Sequence, residues 1–261
     1  MSCIDGCLVS RRDRVITAVL LALAGCVTPP QLGVDSGRPA VTWQSEPIGG
    51  APTRDRRSEA EAEKELVADV AAAERSGKND LGVAQALYNL AILRRQQGNF
   101  DDAEDLYRRA LAIREHEQGP NHADIAVVLN NLAGLKAAEG QYDAALPLLQ
   151  RALRIRQAAL GDADVLTAQS MSNLALLYAA QGNAAAAEPL YQRAISILEK
   201  AVAAEKGAHH AETDGDGLER VLDNYAALLH ETGRDARADE LEARARVLRS
   251  ATAAAPADAA H

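Results

Sequence analysis

Four asparagines share one register in this chain. Asn89, Asn131 and Asn173 each precede Leu-Ala and stand 42 residues apart, and Asn224 opens a weaker copy, Asn-Tyr-Ala, 51 residues further on. A carboxamide holds a donor and an acceptor side by side, so a row of them could match successive peptide units of an extended chain. The same groups could instead tie helix to helix in the interior, and the spacing leaves both readings open. A second concentration of chemistry is His209, His210, Glu212, Asp214 and Asp216, in the nine residues that lengthen the last step. The run Glu212-x-Asp214-x-Asp216-Gly217, followed by Asp223, imitates a calcium loop, with Glu where the first Asp belongs and Asp where the bidentate Glu belongs. A solvated loop and a metal-binding insert, spanning 207–217, are the two readings. His116, His122 and His230 are scattered and mark no site. No Gly-rich phosphate loop, Ser-His-Asp grouping or usable cysteine nucleophile is present, so no enzyme and no cofactor is expected; the alternative to a scaffold is an envelope protein that binds a metal or small ligand through the 207–217 insert.

The elements that must position the asparagines repeat with them. Segments 89–111, 131–153 and 173–195 align without a gap. Gly98, Gly140 and Gly182 keep the period, as do Ala103, Ala145 and Ala187, and Ala110, Ala152 and Ala194; Gly233, Ala238 and Ala245 mark the fourth copy. A fixed period of this size signals stacked units, none of which can bury its apolar face alone. Each copy reads as two helices. Leu87, Leu90, Ala91 and Arg94 fall at helical spacing, and Gly98 ends the helix where a left-handed residue is tolerated. Asp101 or Asp102 is expected to cap the second helix, whose face carries Ala103, Leu106, Tyr107 and Ala110. Pro147 and Pro189 are expected near the start of such helices. Ala91, Ala133, Ala175 and Ala226 let paired helices approach closely, consistent with an aromatic content of 3%. Residues 58–77 read as a lone helix capping the first copy through Leu66, Val70 and Ala73, with Gly77 ending it. The four repeats occupy 78–250, and 251–261 is an Ala-rich tail expected to be disordered.

At these residues the chain resembles the tetratricopeptide-repeat family. The signature apolar-small pair followed by Ala-x3-Phe stands here as Leu90-Ala91 with Ala103 and Tyr107, Leu132-Ala133 with Ala145 and Leu149, and Leu174-Ala175 with Ala187 and Tyr191. Leu87, Leu129, Met171 and Leu222 replace the usual Trp. The period of 42, the Asn-Asn-Leu-Ala run and Gly119-Pro120-Asn121-His122 are similar to the kinesin-light-chain subtype. The resemblance implies an all-α superhelical solenoid of antiparallel helix pairs, with the first helices lining a concave groove. It also implies a peptide-binding set of Asn89, Asn131, Asn173 and Asn224, with Tyr88, Asn130 and Ser172 beside them. Gln85, Ile92, Arg95, Val127, Gly134, Gln169 and Leu176 would complete a mixed polar surface. Such a lining lacks the convergent Lys and Arg of a carboxylate clamp.

Ahead of the repeats, Arg11, Arg12 and Arg14 precede an apolar run over 15–24, about half of the roughly 20 residues needed to span a bilayer. The run ends Leu23-Ala24-Gly25-Cys26, which resembles the lipobox of bacterial lipoproteins. That resemblance implies a signal peptide over 1–25 and a lipid on the Cys26 thiol. Ser10-Arg11-Arg12 also resembles a twin-arginine export signal, though Arg14 stands where that motif wants an apolar residue. Cys3, Cys7 and Cys26 are the only cysteines, so the mature chain would carry one, blocked by lipid, and could form no disulfide. Residues 26–57 hold Pro29, Pro30, Pro39, Pro47 and Pro52 and read as a flexible tether with a reach of roughly 30 Å. Trp43 within it reads as a solvated residue or as a contact to membrane or partner. Val27 after the cysteine implies, by the lipoprotein family's sorting rule, an outer-membrane location. The net charge of −9 argues against nucleic acid. The expected function is a lipid-anchored envelope scaffold that binds a protein or peptide, in assembly of a secretion, pilus or outer-membrane complex.

Overall fold

The computed structural model of the chain describes residues 59–75, 80–205 and 214–253. The expected signal peptide, Cys26, the tether with Trp43, Gly77, and His209, His210 and Glu212 of the insert lie outside the described residues. Among the described residues there are nine helices and no strand: α1 (Glu59–Arg75), α2 (Leu81–Gln96), α3 (Phe100–Gln118), α4 (Ala123–Ala138), α5 (Tyr142–Leu160), α6 (Val165–Ala180), α7 (Ala184–Glu205), α8 (Asp214–Glu231) and α9 (Asp235–Ala253). None is long and apolar enough to cross a membrane.

Local sequence explains where the helices begin and end. Asp80, His122 and Asp164 stand 42 residues apart and each caps the first helix of a repeat. The Asp80 carboxylate accepts from the amides of Gly82 and Val83, His122 from Asp124, and Asp164 from Leu166 at 2.8 Å. These bonds satisfy amides that the helix itself leaves open. His122, the last residue of the Gly-x-x-His element, therefore starts a helix.

The turn inside each repeat is one recurring device. Gly98, Gly140, Gly182 and Gly233 all have φ between 74° and 79°. The amide after each glycine donates back across the turn: Asn99 to the Arg94 carbonyl, Gln141 to Lys136, Asn183 to Tyr178 and Arg234 to Leu229, at 2.8–2.9 Å. This is the Schellman closure. It lets the second helix restart at once, so α3 begins at Phe100, one residue before the expected capping aspartates. Asn99 holds the cap position without a side-chain bond, and Asp101 and Asp102 lie in the first turn, where they favour the helix dipole. A Cβ on Gly140 would meet nothing within 4 Å. Gly140→Ala therefore tests backbone strain alone and is expected to lower stability by about 1–2 kcal/mol, read from denaturant unfolding.

Two details depart from expectation. Pro147 and Pro189 are the sixth residues of α5 and α7 and so lie inside the helices rather than at their starts. Each leaves the carbonyl four residues earlier without its usual amide. Helix α9 continues to Ala253, three residues into the stretch expected to be disordered. Alanine, the strongest helix former, accounts for the extension.

The helices pack in successive pairs, and first helices also touch across repeats, α4 against α6 and α6 against α8. The structure is thus the expected superhelical solenoid. Ala91, Ala133, Ala175 and Ala226 are fully buried, as are Tyr107, Leu149 and Tyr191 four residues after the second-helix alanines. Burial pushes the Tyr107 hydroxyl up to about 12, against the pull of the Arg95 charge. Lys136 joins α4 to α3 through Glu104 at 2.6 Å, with Glu139 at 3.1 Å. Burial alone would push this ammonium down, but the hydrogen bonds to both carboxylates hold it above the ordinary lysine range. Val70 of α1 is buried among Val83, Leu87 and Leu90, which docks the lone helix on the first repeat.

A periodic row of arginines on the second helices makes ion pairs to the preceding part of the chain. Arg109, Arg151, Arg193 and Arg244 keep the repeat register, including the nine-residue lengthening. Each reaches back towards the preceding repeat: Arg109 to Glu74, Arg151 to Glu115 at 2.6 Å, Arg193 to Asp162 at 2.9 Å, and Arg244 to Glu199. All four pairs are partly solvated, so they add little stability individually. The arginines keep the register while their acceptors do not, since Glu74, Glu115, Asp162 and Glu199 stand at different repeat positions.

Candidate peptide-binding groove

The asparagine register falls on the first helices α2, α4, α6 and α8, as expected. Exposure differs sharply along it. Asn89 is half-buried, whereas Asn131, Asn173 and Asn224 are at most 4% exposed. Tyr88, Asn130 and Ser172, expected beside the ladder in the groove, are also buried, as is Arg95. Gln85, Ile92, Val127 and Gln169 retain partial exposure and form the accessible lining among these positions.

The first repeat holds its amide through a chain of polar contacts. Asp124 accepts from Arg114 Nη1 at 3.1 Å and from Gln118 at 2.9 Å. Arg114 Nη2 donates to Gln85 Oε1 at 2.8 Å, and Gln85 Nε2 donates to Asn89 Oδ1 at 2.9 Å. Arg114 is 3% exposed, and burial lowers its pKa, opposed by the Asp124 charge. The chain thus holds the half-buried Asn89 amide by its oxygen.

The second repeat uses its asparagines as ties. Asn131 Nδ2 donates to the Tyr88 hydroxyl at 2.6 Å and to the Val127 carbonyl at 3.2 Å, joining α4 to α2. Asn130 Nδ2 donates to Ser170 Oγ at 3.3 Å, and Arg156 reaches the same oxygen at 3.1 Å and the Leu166 carbonyl at 2.7 Å. These bonds serve the helix-to-helix reading of the register.

Asn130 Oδ1 is nevertheless a buried acceptor without a partner among the described residues, and the third repeat adds a donor to that state. Asn173 Nδ2 and Gln169 Oε1 are buried and have no hydrogen-bond partner among the described residues. They lie one helical turn apart on α6, on the line that carries Gln85 and Asn89 in α2. One is a donor and the other an acceptor, the combination that a peptide unit satisfies. Asn173 was legible in the repeat register. Gln169 was legible only as a neighbour, and its unmet acceptor depends on the packing around it.

Only part of the calcium-like run lies among the described residues. Asp214, Asp216 and Gly217 belong to α8, and Asp223, further along the same helix, pairs with Arg249 at 2.8 Å.

The tetratricopeptide-repeat family model matches residues 55–116 and 124–200, covering more than half of the chain. The chain belongs to the tetratricopeptide-repeat family. Its fold is similar to that of BtubC (BKLC) from P. vanneervenii, at 22% identity and a TM-score of 0.63, over 78% of each chain. It is also similar to two structures of a putative kinesin light chain with nearly identical TPR-like repeats from Podosopora anserina. One gives a TM-score of 0.54 over 75% of this chain and 88% of that one; the other gives 0.52 over 76% and 90%, both at 22% identity. These likenesses concern the fold, and they agree with the kinesin-light-chain resemblance read from the 42-residue period. No curated protein matches the chain. Tetratricopeptide repeats are interaction scaffolds for other proteins and typically do no chemistry of their own.

Proposed function

We propose that this tetratricopeptide protein is a lipid-anchored scaffold of a bacterial envelope and holds an extended segment of a protein partner in its groove. The observation that carries the groove half of the reading is the unmatched pair on α6, Asn173 Nδ2 and Gln169 Oε1. A buried donor and acceptor left open are each unfavourable by roughly 1–3 kcal/mol, a penalty that a bound peptide unit would relieve. Asn89, steadied by Gln85, adds a second donor on the first repeat. Asn131, Asn224, Tyr88, Asn130 and Ser172 are the supporting floor beneath that line.

The anchoring half rests on Leu23-Ala24-Gly25-Cys26 behind its basic and apolar segments. Lipid on Cys26 would hold the acidic repeat body near a membrane that its charge does not favour. The tether over 26–57 would let the groove reach a partner clear of the headgroups. Val27 directs the proposal to the outer membrane, facing the periplasm, and assembly of a secretion, pilus or outer-membrane complex is the kind of task such a scaffold serves.

The test is Cys26→Ala in the full chain. The variant is expected to leave the detergent-phase membrane fraction and to keep its signal peptide, which mass spectrometry reads directly. Retention of the variant in that phase would overturn the anchor. Density-gradient fractionation that placed the native protein in the inner membrane would overturn the sorting.

A further inference from the structure

His230, passed over in the sequence as one of several scattered histidines, is brought together with three carboxylates by the last turn. It lies in the last turn of α8, and the Schellman closure at Gly233 folds α9 back against it. Its Nδ1 lies 2.7 Å from Asp235 Oδ1. On the other side of the ring, Nε2 lies 3.2 Å from Glu242 Oε1 and 3.8 Å from Asp239 Oδ1. Asp239 and Glu242 are three residues apart on α9 and so share one face. The His230 side chain is 10% exposed, and Glu242 is 16% exposed.

With Nδ1–H donating to Asp235, the ring presents the lone pair of Nε2 to two carboxylate oxygens. Three acceptors then converge on one point with no donor between them. A proton on Nε2 could serve one oxygen well, but a cation at the centre serves all three. The Arg246 guanidinium lies 4.0 Å from the other oxygen of Glu242, so it leaves the converging oxygen to the site.

We infer that His230 Nε2, Asp239 and Glu242 form a site for a divalent transition-metal ion of the zinc type, with Asp235 as the residue that orients the imidazole. The three ligand atoms lie within 4.8 Å of one another. Bonds of about 2.0–2.2 Å in a tetrahedral site put neighbouring ligands about 3.3–3.6 Å apart, slightly beyond the 3.2 Å Nε2–Glu242 separation. Asp239, 70% exposed, has room to close the remaining distance. A carboxylate on the far nitrogen of a metal-binding histidine is the usual means of fixing its tautomer, and Asp235 sits there. One nitrogen and two oxygens suit zinc-type ions, whereas calcium asks for six to eight oxygens. The ion would clamp α8 to α9, and further coordination positions would remain open to solvent. Among the described residues no later helix packs on α9, so a clamp there adds order where stacking adds least.

The experiment is calorimetric titration of Zn2+ into the full chain, paired with melting curves. One saturable event in the micromolar range and a rise in melting temperature are expected. His230→Gln and Glu242→Gln should each abolish the event, with circular dichroism confirming helical content. Asp235→Asn should weaken binding by about 10- to 100-fold, as expected for a residue that acts through the ligand. The His209→Ala/His210→Ala double variant should bind as the native chain does. Absence of a saturable event in the native chain, or binding that survives His230→Gln, would overturn the assignment. So would loss of binding in the double variant, which would move the site to the insert.

Discussion

Truncation of Leu132 to alanine is expected to lower stability by roughly 2–5 kcal/mol, the usual range for a buried leucine that leaves a partly collapsed cavity. Leu132 is 5% exposed and belongs to the apolar cluster of Leu87, Leu90, Ala91, Tyr107 and Val128, which joins α2, α3 and α4. It therefore sits at the seam between the first and second repeats. Because adjacent repeats share their interfaces, the loss should spread beyond α4. Hydrogen exchange should show weakened protection in α2 through α5, with less change in α8 and α9. A thermal melt unchanged by the substitution would mean that the seam carries none of the cooperativity assigned to it. Ala133 beside it gives the opposite kind of check: Ala133→Leu overfills a fully buried position and should destabilise by about 1–3 kcal/mol.

The solenoid was legible in the sequence because each of its devices repeats with the chain. The turn glycines Gly98, Gly140, Gly182 and Gly233 mark a backbone conformation that few other residues adopt, and the buried alanines mark close helix approach. Even the arginine row, Arg109 through Arg244, is visible in register once its role is known. The site was less legible. Repeat position places the four asparagines on one line, but exposure depends on what the neighbouring helix presents. Asn131 meets the Tyr88 hydroxyl, 43 residues away, whereas Asn173 has Ser170 and Gln169 on its own helix and no such partner across the seam. The two differ because the residue one repeat back from Asn130 is Tyr88, while the residue one repeat back from Ser172 is Asn130. The His230 group was hidden for a different reason. Its members straddle a turn, and Glu242 stands where the earlier copies carry Tyr107, Leu149 and Tyr191, so periodicity pointed to an apolar residue there. Only folding the chain at Gly233 brings His230 opposite Asp239 and Glu242. In the acidic run the described part, from Asp214 onward, is helix α8.

The asparagine register should split into two behaviours under substitution. Asn131→Ala removes a buried donor from the Tyr88 hydroxyl and should cost roughly 1–3 kcal/mol of stability, because the hydroxyl is left buried without that bond. Asn173→Ala removes an amide nitrogen that has no partner among the described residues, so no hydrogen bond is lost with it. Its melting temperature should stay close to that of the native chain. Binding should respond in the other order. If a partner's backbone occupies the groove, Asn173→Ala loses one hydrogen bond to it, worth about 0.5–1.5 kcal/mol, or about 2- to 12-fold in affinity. Any loss of binding in Asn131→Ala should instead follow the unfolded fraction and disappear at lower temperature. A partner recovered by pull-down with the full chain from detergent-solubilised envelope supplies the ligand, and affinity is measured for both variants beside their melts. A stably folded Asn173→Ala that binds with native affinity would remove the register from recognition and leave the half-exposed Gln85, Ile92 and Val127 as the groove's contact surface.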